Sequence, residues 1–526
     1  MPTITINGRQ IEVVEGLNVI QAAETAGITI PHYCYHPGLP VDGNCRMCLV
    51  EIDGARGPQI SCNTVVKEGM VVHTDTPAVE KMRKGVQEFL LLNHPIDCPI
   101  CDKAGECRLQ DYYMEYGQYK NRSMVPKVEK NKVVDLGPTV VLDQERCILC
   151  SRCVRFCESV TETGELVIQN RGDQSRITTF PGMQLDNDYS INVTDLCPVG
   201  ALTSKDFRFK QRVWFLTKTK SICTGCANGC AVTVDHRDGV TYRYKPRHNP
   251  DVNQYWMCDK GRLSYHALNE NRLLKAMIGG KETPVGLALD EFVAKIKSTV
   301  EAYGADAVAF VGSAHATIEA NFVLKRLASE TVKTSSLWGV TLTPDGKSDD
   351  FLIKADKTPN RRGVQFVGLN QDASSLKAAL ESGKIRMLVA MDNDLFGEGD
   401  EEWQRLLSMV PVTVVMAKHK TAWTDRASIA LPIASHVEQF GSFVQAKGIL
   451  QKVFKAYDAE GDAAPSYEVL GALARMFGTD FGYDDIEHVW TDLRTAYPEA
   501  LKDLTFYGIG ENGYKLPVAE LVESGK

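Results

Sequence analysis

The sequence predicts an α+β multidomain protein: a small N-terminal β-grasp domain, a run of small cysteine-rich domains, and an α/β domain with a parallel sheet. Three observations predict it. Alternating strand-like residues around an Asn-Gly pair open the chain, sixteen cysteines all lie at or before position 258, and a cysteine-free remainder alternates helices with short apolar strands. Strand–helix alternation is the pattern of a parallel sheet. Clustered C-x2-C pairs in a large chain point to metal, where a disulfide framework would suit a small secreted one.

In chain order, TITI (3–6) and QIEVV (10–14) alternate around Asn7-Gly8, the strongest short hairpin signal. A helix follows at Val19, Ile20, Ala22 and Ala23 and ends near Gly27. Cys34, Cys45, Cys48 and Cys62 then arrive as C-x10-C-x2-C-x13-C, which closes a first domain over 1–78. Thr76-Pro77 opens a second helix with Val79, Met82, Val86, Phe89 and Leu90 at helical spacing. It is expected to run to His94, where Pro95 stops it, and to aim that residue at the next cysteine loop. His94, Cys98, Cys101 and Cys107 form H-x3-C-x2-C-x5-C in the segment 79–118.

The segment 138–210 carries Cys147, Cys150 and Cys153 as C-x2-C-x2-C, with Cys197 remote. The segment 216–272 carries Cys223, Cys226 and Cys230 as C-x2-C-x3-C, with Cys258 remote. Each group of three needs a distant fourth, so the chain between must fold back. From 273 to 526 the predicted helices include Leu289–Tyr303 and Ala316–Ala328. The predicted strands include Ala307–Val311, Met387–Met391 and Val412–Val415. This part contains neither G-x-G-x-x-G nor a P-loop, so no nucleotide site is read there.

A net charge of −8 argues against nucleic acid as the main partner, because phosphate binding needs a basic footprint. Hydrophobic residues at 44% and charged residues at 24% are ordinary for a globular protein. No apolar run approaches the roughly 18 residues of a membrane span, so membrane contact is expected only through partners. The first residues enter a strand pattern directly and read as the mature start of a bacterial cytoplasmic protein.

Four groups use fifteen cysteines and His94, leaving Cys157. C-x2-C-x2-C with a remote Cys-Pro is the bacterial ferredoxin spacing, which wraps three corners of a [4Fe-4S] cubane. The first group has the close C-x2-C and distant fourth cysteine of plant-type [2Fe-2S] proteins, with a longer first gap. The fourth group reads as a cubane, and the histidine group is undecided between iron–sulfur and a structural zinc site of three cysteines and one histidine. Zinc stays open for each on spacing alone. Cys157 is followed by Glu158 where a two-cluster ferredoxin has proline, so it reads as a thiol outside the ligand sets. His32, His36 and His73 read as loop or surface residues. No catalytic residue emerges: there is neither a Ser/His/Asp set nor H-E-x-x-H.

The order of motifs HYCYHPGLPVDGNCRMCLVEI, KGVQEFLLLNHPIDCPICDKAGECRLQD, CILCSRCVRFC, TDLCPVGALTSK and CTGCANGC resembles the G-subunit family of NADH-quinone oxidoreductase, the large iron-sulfur subunit of respiratory complex I. The remainder is similar to a shortened molybdopterin-oxidoreductase domain, through GSAHATIEANFVLKRLA and ASIALPIASHVEQFGSFVQAKGILQ. The resemblance implies a [2Fe-2S] cluster on Cys34, Cys45, Cys48 and Cys62. It implies [4Fe-4S] clusters on His94, Cys98, Cys101 and Cys107, on Cys147, Cys150, Cys153 and Cys197, and on Cys223, Cys226, Cys230 and Cys258. It also implies electrons arriving from an FMN/NADH-binding subunit and leaving to a ferredoxin-like two-cluster subunit towards quinone-site subunits. The location implied is peripheral to the bacterial inner membrane on its cytoplasmic side.

No cysteine follows Cys258 to ligate molybdenum, so the last domain reads as a scaffold without molybdopterin and Lys260 as a relic. The rival readings are an electron-transfer subunit of a soluble hydrogenase or formate dehydrogenase complex, a catalytic molybdoenzyme, and a structural zinc module.

Overall fold

The computed structural model describes residues 1–393, 395 and 400–517. The end of the predicted segment 273–526, residues 518–526, lies outside the described residues. The chain forms two compact units, Met1–Leu216 and Thr217–Lys526.

The first unit begins with the expected hairpin, Thr3–Ile6 against Arg9–Glu12, paired from Thr3↔Glu12 to Ile6↔Arg9. Asn7 and Gly8 both have positive φ (48° and 79°), the backbone that a tight hairpin with right-handed twist requires. Thr3–Ile6 pairs in parallel with Val71–His73, and Leu49–Ile52 and Gln59–Ile60 complete a five-stranded sheet. The helix Val19–Thr25 lays Val19, Ile20, Ala22 and Ala23 on this sheet against Ile4, Ile6, Val50 and Val72. That is a β-grasp: a helix held across a mixed sheet, with the cysteine loop at its edge.

The second helix differs from expectation in its end and in its face. It spans Pro77–Leu91 with Thr76 as N-cap, so His94 lies past the cap instead of forming the last turn. Its buried residues are Val79, Arg83 and Gln87, whereas Phe89 is 75% exposed. The reason is polar. Gln87 accepts from the Tyr33 hydroxyl (2.7 Å) and donates to the Leu109 carbonyl (3.2 Å), while Arg83 donates to the Tyr116 hydroxyl (3.2 Å). These bonds turn the helix towards the Cys34 loop and the helix Arg108–Tyr116, and hydrophobic periodicity cannot register them.

Further along, Val134–Asp135, Val140–Leu142 and Leu202–Ser204 form a three-stranded sheet, and Leu166–Gln169 and Arg176–Thr179 a two-stranded one. The helix Arg152–Ser159 starts inside the C-x2-C-x2-C run, and Asn192–Leu196 delivers Cys197.

The second unit opens with an antiparallel meander, Thr217–Ile222, Ala231–Arg237 and Val240–Pro246. The helix Asp259–Leu263 follows, with Cys258 as its N-cap. A seven-stranded sheet then forms around the parallel strands Leu337–Trp338, Val308–Val311, Met387–Met391, Val412–Ala417 and Ile429–Pro432. All residues of Val308–Val311 and Met387–Met391 are buried, as expected when helices cover both faces. Alternate side chains feed two cores: Val308 and Phe310 enter one, Ala309 and Val311 the other. The predicted helices appear as Val285–Tyr303 and Ile318–Arg326, the second continued by a π-helical turn at Leu327–Val332.

Asn18 joins the first fold element to the first cysteine group. Its side chain caps the helix by accepting from the Gln21 amide (3.0 Å) and also donates to the Cys62 carbonyl (3.0 Å). Asn18→Ala removes both bonds and should cost about 1–2 kcal/mol locally. Hydrogen exchange of Val19–Thr25 in the full chain is expected to quicken about tenfold or more; unchanged exchange would show that the cap contributes nothing.

Candidate metal centres

The structure brings together Cys34, Cys45, Cys48 and Cys62, which are distant in sequence. They resolve into two hydrogen-bonded sulfur pairs, Cys34 with Cys45 and Cys48 with Cys62. Within each pair one thiol is held down by its partner's S–H, Cys34 to about 6 and Cys48 to about 7, while Cys45 and Cys62 are raised. Two pairs are the donor arrangement of a two-iron cluster with two ligands on each iron. The loop turns at Arg46, whose φ of 58° is unusual for a residue with a side chain.

Cys147, Cys150, Cys153 and Cys197 together line one small cavity, walled by apolar side chains such as Leu142 and Ile177. Burial pushes Cys147 up to about 12 and Cys150 to about 11, and Cys153 well above its ordinary value. Bare thiols here would be neutral; a bound metal would hold them as thiolates. Leu149 and Ser151 both have positive φ (53° and 60°), which curls the backbone around the cavity. The Leu149 amide points at the Cys147 sulfur (3.4 Å).

In the histidine group, burial raises Cys101 and pushes Cys107 up to about 11. His94 shares the neighbours Asp97 and Arg146 with Cys101, and burial lowers its pKa to about 4, so the ring is neutral at pH 7. Its Nδ1 is buried with no hydrogen-bond partner. A neutral ring with an orphaned buried nitrogen is the setting of a metal-ligating histidine. Arg146 makes a bidentate pair with Asp97 (3.0 and 2.6 Å) and thereby fixes this loop. Gly200 approaches so closely that a Cβ there would lie 2.2 Å from the Cys101 sulfur.

Cys223, Cys226, Cys230 and Cys258 lie within electrostatic reach of one another in the second unit. Burial pushes Cys223 up to about 12 and raises Cys230 well above its usual value. Sulfur acceptors are served by Asn228 Nδ2 on Cys230 (3.1 Å) and the Gly261 amide on Cys258 (3.3 Å). A Cβ on Gly261 would meet Cys223 Sγ at 2.9 Å, so glycine leaves the room the sulfurs need. Thiols, with one neutral imidazole, are donors that would suit a metal centre in each set; among the described residues no three His, Cys, Asp or Glu side chains converge as they would on a single ion.

Cys157 is buried in the helix Arg152–Ser159 and is faced by Glu165 and Glu158. His32 bonds the Ile30 carbonyl (2.8 Å), His36 accepts from the Gly38 amide (3.1 Å), and His73 meets Asp53 (3.1 Å). Lys260 is exposed. Sequence reading missed the arginines. Arg83, Arg146, Arg152 and Arg155 are all buried around the cysteine loops. For Arg146, Arg152 and Arg155 their interleaving with cysteine in ERCILCSRCVRFC was the available signal.

The three groups of the first unit also adjoin one another. Ser151 donates to Asp42, and Asn44 donates to the Leu149 carbonyl (3.3 Å), tying the first loop to the third. Cys107 lies within electrostatic reach of Cys197, and the Arg108 amide donates to the Pro198 carbonyl (3.0 Å), tying the third group to the histidine group. The third group therefore adjoins both of the others, while the first and the histidine group also meet, through Tyr33, which lies within electrostatic reach of Cys45 and Cys107.

Five family models match in chain order. They are a 2Fe-2S iron-sulfur cluster binding domain over 1–77, an NADH-ubiquinone oxidoreductase-G iron-sulfur binding region over 83–122, and the NADH-quinone oxidoreductase subunit 3 ferredoxin-like domain over 137–203. A molybdopterin oxidoreductase Fe4S4 domain follows over 216–270 and a molybdopterin oxidoreductase model over 354–476. The NADH-quinone oxidoreductase G subunit of Rickettsia bellii is 42% identical over 62% of this chain and 48% of its own length. The mitochondrial NADH-ubiquinone oxidoreductase 78 kDa subunit of Neurospora crassa is 42% identical over 99% of this chain and 87% of its own. The chain spans about half the length of the Rickettsia relatives it matches. A solved chain titled as an NAD+-reducing [NiFe]-hydrogenase in the H2-reduced state is 31% identical over 40% of this chain and 91% of that one, with a TM-score of 0.37, too low to carry an argument.

Gly200→Ala should displace the Cys101 thiol and lower bound iron by about one four-iron centre. Iron and acid-labile sulfide measured on the purified full chain check this; full retention would show that the loop yields without losing its donor.

Proposed function

The chain belongs to the family of the NADH-quinone oxidoreductase G subunit and the mitochondrial 78 kDa subunit, and on that premise we propose that it is an iron–sulfur electron-transfer subunit of a complex I. In this reading Cys34, Cys45, Cys48 and Cys62 hold one [2Fe-2S] cluster. His94 with Cys98, Cys101 and Cys107, Cys147 with Cys150, Cys153 and Cys197, and Cys223 with Cys226, Cys230 and Cys258 hold one [4Fe-4S] cluster each. When bound, these centres supply one-electron transfer. The carrying observation is that the Cys147 loop is hydrogen-bonded to the Cys34 loop and that Cys197 lies within electrostatic reach of Cys107, which supports a route from the Cys34 set through the Cys147 set to the His94 set.

The chain's own residues then have three tasks. Thiols and one neutral imidazole hold iron, apolar walls such as Leu142 and Ile177 exclude water, and buried arginines offset negative charge. No general base or nucleophile is required. The proposed partners are an FMN/NADH-binding subunit upstream, a ferredoxin-like two-cluster subunit downstream and the quinone-site subunits beyond. Among the described residues no helix is long and apolar enough to cross a membrane. Membrane attachment, on the cytoplasmic side of a bacterial inner membrane, would accordingly run through those partners. The domain after 272 is proposed to be a scaffold without molybdopterin.

The expected metal content is about 14 iron atoms per chain, from one two-iron and three four-iron centres. Zinc without iron or acid-labile sulfide would reject the proposal, and one molybdenum per chain would reject the scaffold reading. His94→Cys exchanges a neutral nitrogen for an anionic thiolate, which disfavours reduction. The midpoint potential of that centre should fall in a redox titration followed by electron-spin resonance; an unchanged potential with the centre intact would show that ligand charge does not set it.

A further inference from the structure

Arg152 and Arg155 sit in the first turn of the helix Arg152–Ser159 and are 4% and 9% exposed. Among the described residues neither is ion-paired with a carboxylate. A buried guanidinium without a counter-charge costs several kcal/mol. The hydrogen bonds do not supply that charge, because they go to neutral oxygens. Arg155 donates to the carbonyls of Cys34, Pro40 and Cys150 (3.3 Å for the last) and to Ser151 Oγ (3.0 Å). Arg152 donates to the carbonyls of Tyr35 and Leu196 (3.1 Å for the last). The carboxylate of this network, Asp42, is exposed and reached only through Ser151.

The groups facing these cations that can carry negative charge are cysteines of two different sets. Arg152 feels Cys150 and Cys197 of one set and Cys34 of the other, and Arg155 acts on Cys34 and on Cys150. Each guanidinium therefore serves both donor sets at once.

We propose that Arg152 and Arg155 are positioning residues that form a shared cationic bridge between the Cys34/Cys45/Cys48/Cys62 and Cys147/Cys150/Cys153/Cys197 centres, raising the reduction potentials of both. The inference rests on the cluster reading above. With both centres bound, negative charge on either would lie within reach of the same two cations, Arg152 and Arg155. The clamp also fixes the loops that carry both sets, so charge and spacing are set by the same side chains.

Redox titration of the full chain, followed by electron-spin resonance, separates the charge from the clamp. Arg155→Gln is expected to lower the reduction equilibrium constant of both centres by about tenfold, which is 59 mV for one electron. The Cys223/Cys226/Cys230/Cys258 centre, in the other unit, should keep its potential. Arg155→Lys keeps the charge and loses the fork, and it should restore both potentials to within about threefold of the parent. Unchanged potentials in Arg155→Gln with both centres present would overturn the bridge. If Arg155→Gln loses a centre, the lysine variant decides: retention near the parent potential supports the bridge, and loss there too overturns it in favour of a purely structural clamp. Absence of iron from the parent chain would instead sink the cluster reading itself.

Discussion

The first half of this molecule depends on the cost of holding sulfur donors in a medium that disfavours their charge. Thiolates bind metal, but burial drives thiols towards the neutral form, as the raised values of Cys107, Cys147, Cys150 and Cys223 record. Three devices offset that cost. Sulfur pairs share a proton in the first set, amide and side-chain N–H groups point at sulfur in the others, and buried arginines bring positive charge, Arg146 paired with Asp97 but Arg152 and Arg155 bonded to neutral oxygens. The backbone contributes by adopting positive φ at Arg46, Ile96, Leu149 and Ser151, all residues with side chains. Such strain concentrates where function requires it.

Arg146 illustrates why these cations cannot be exchanged freely. It is tied to Asp97 by two bonds and lies close to Cys101 and His94. One residue thus shapes the loop and balances a nearby thiol. Arg212 does comparable work from outside, donating to the Cys101 (2.7 Å) and Pro99 (2.6 Å) carbonyls. The loop is held by charge-assisted bonds on both sides.

The second unit is built on a different principle. Its parallel sheet is apolar on both faces, and several of its buried polar groups are joined in long-range hydrogen bonds. Glu319 is fully buried, which raises its pKa, and it accepts from the Ser442 amide (2.9 Å), the Ser442 hydroxyl (2.7 Å) and Trp490 Nε1 (2.8 Å). Arg272 and Glu438 pair bidentately (3.0 and 2.6 Å). These are the marks of a stable scaffold, in which polar networks pin elements together. The strands Val308–Val311 and Met387–Met391 were legible to within a residue because unbroken apolar runs bounded by turns have few other uses.

The sequence by itself picked out four groups of candidate donors, because ligand chemistry demands particular residue types at short spacings, and it determined the hairpin at Asn7-Gly8 and the apolar strands of the last domain. Local signals sufficed there. Only the tertiary structure decided that the Cys147 set adjoins both of the other sets of its unit, since that depends on how Cys197 and Gly200 return to the Cys101 loop. It also decided that the helix after Thr76 buries Arg83 and Gln87 in place of its apolar stripe, and that Arg152 and Arg155 have cysteine sets as their electrostatic partners. Those outcomes come from hydrogen bonds and charges between residues far apart in the chain, such as Arg155 with Cys34. No periodicity or motif spacing encodes them.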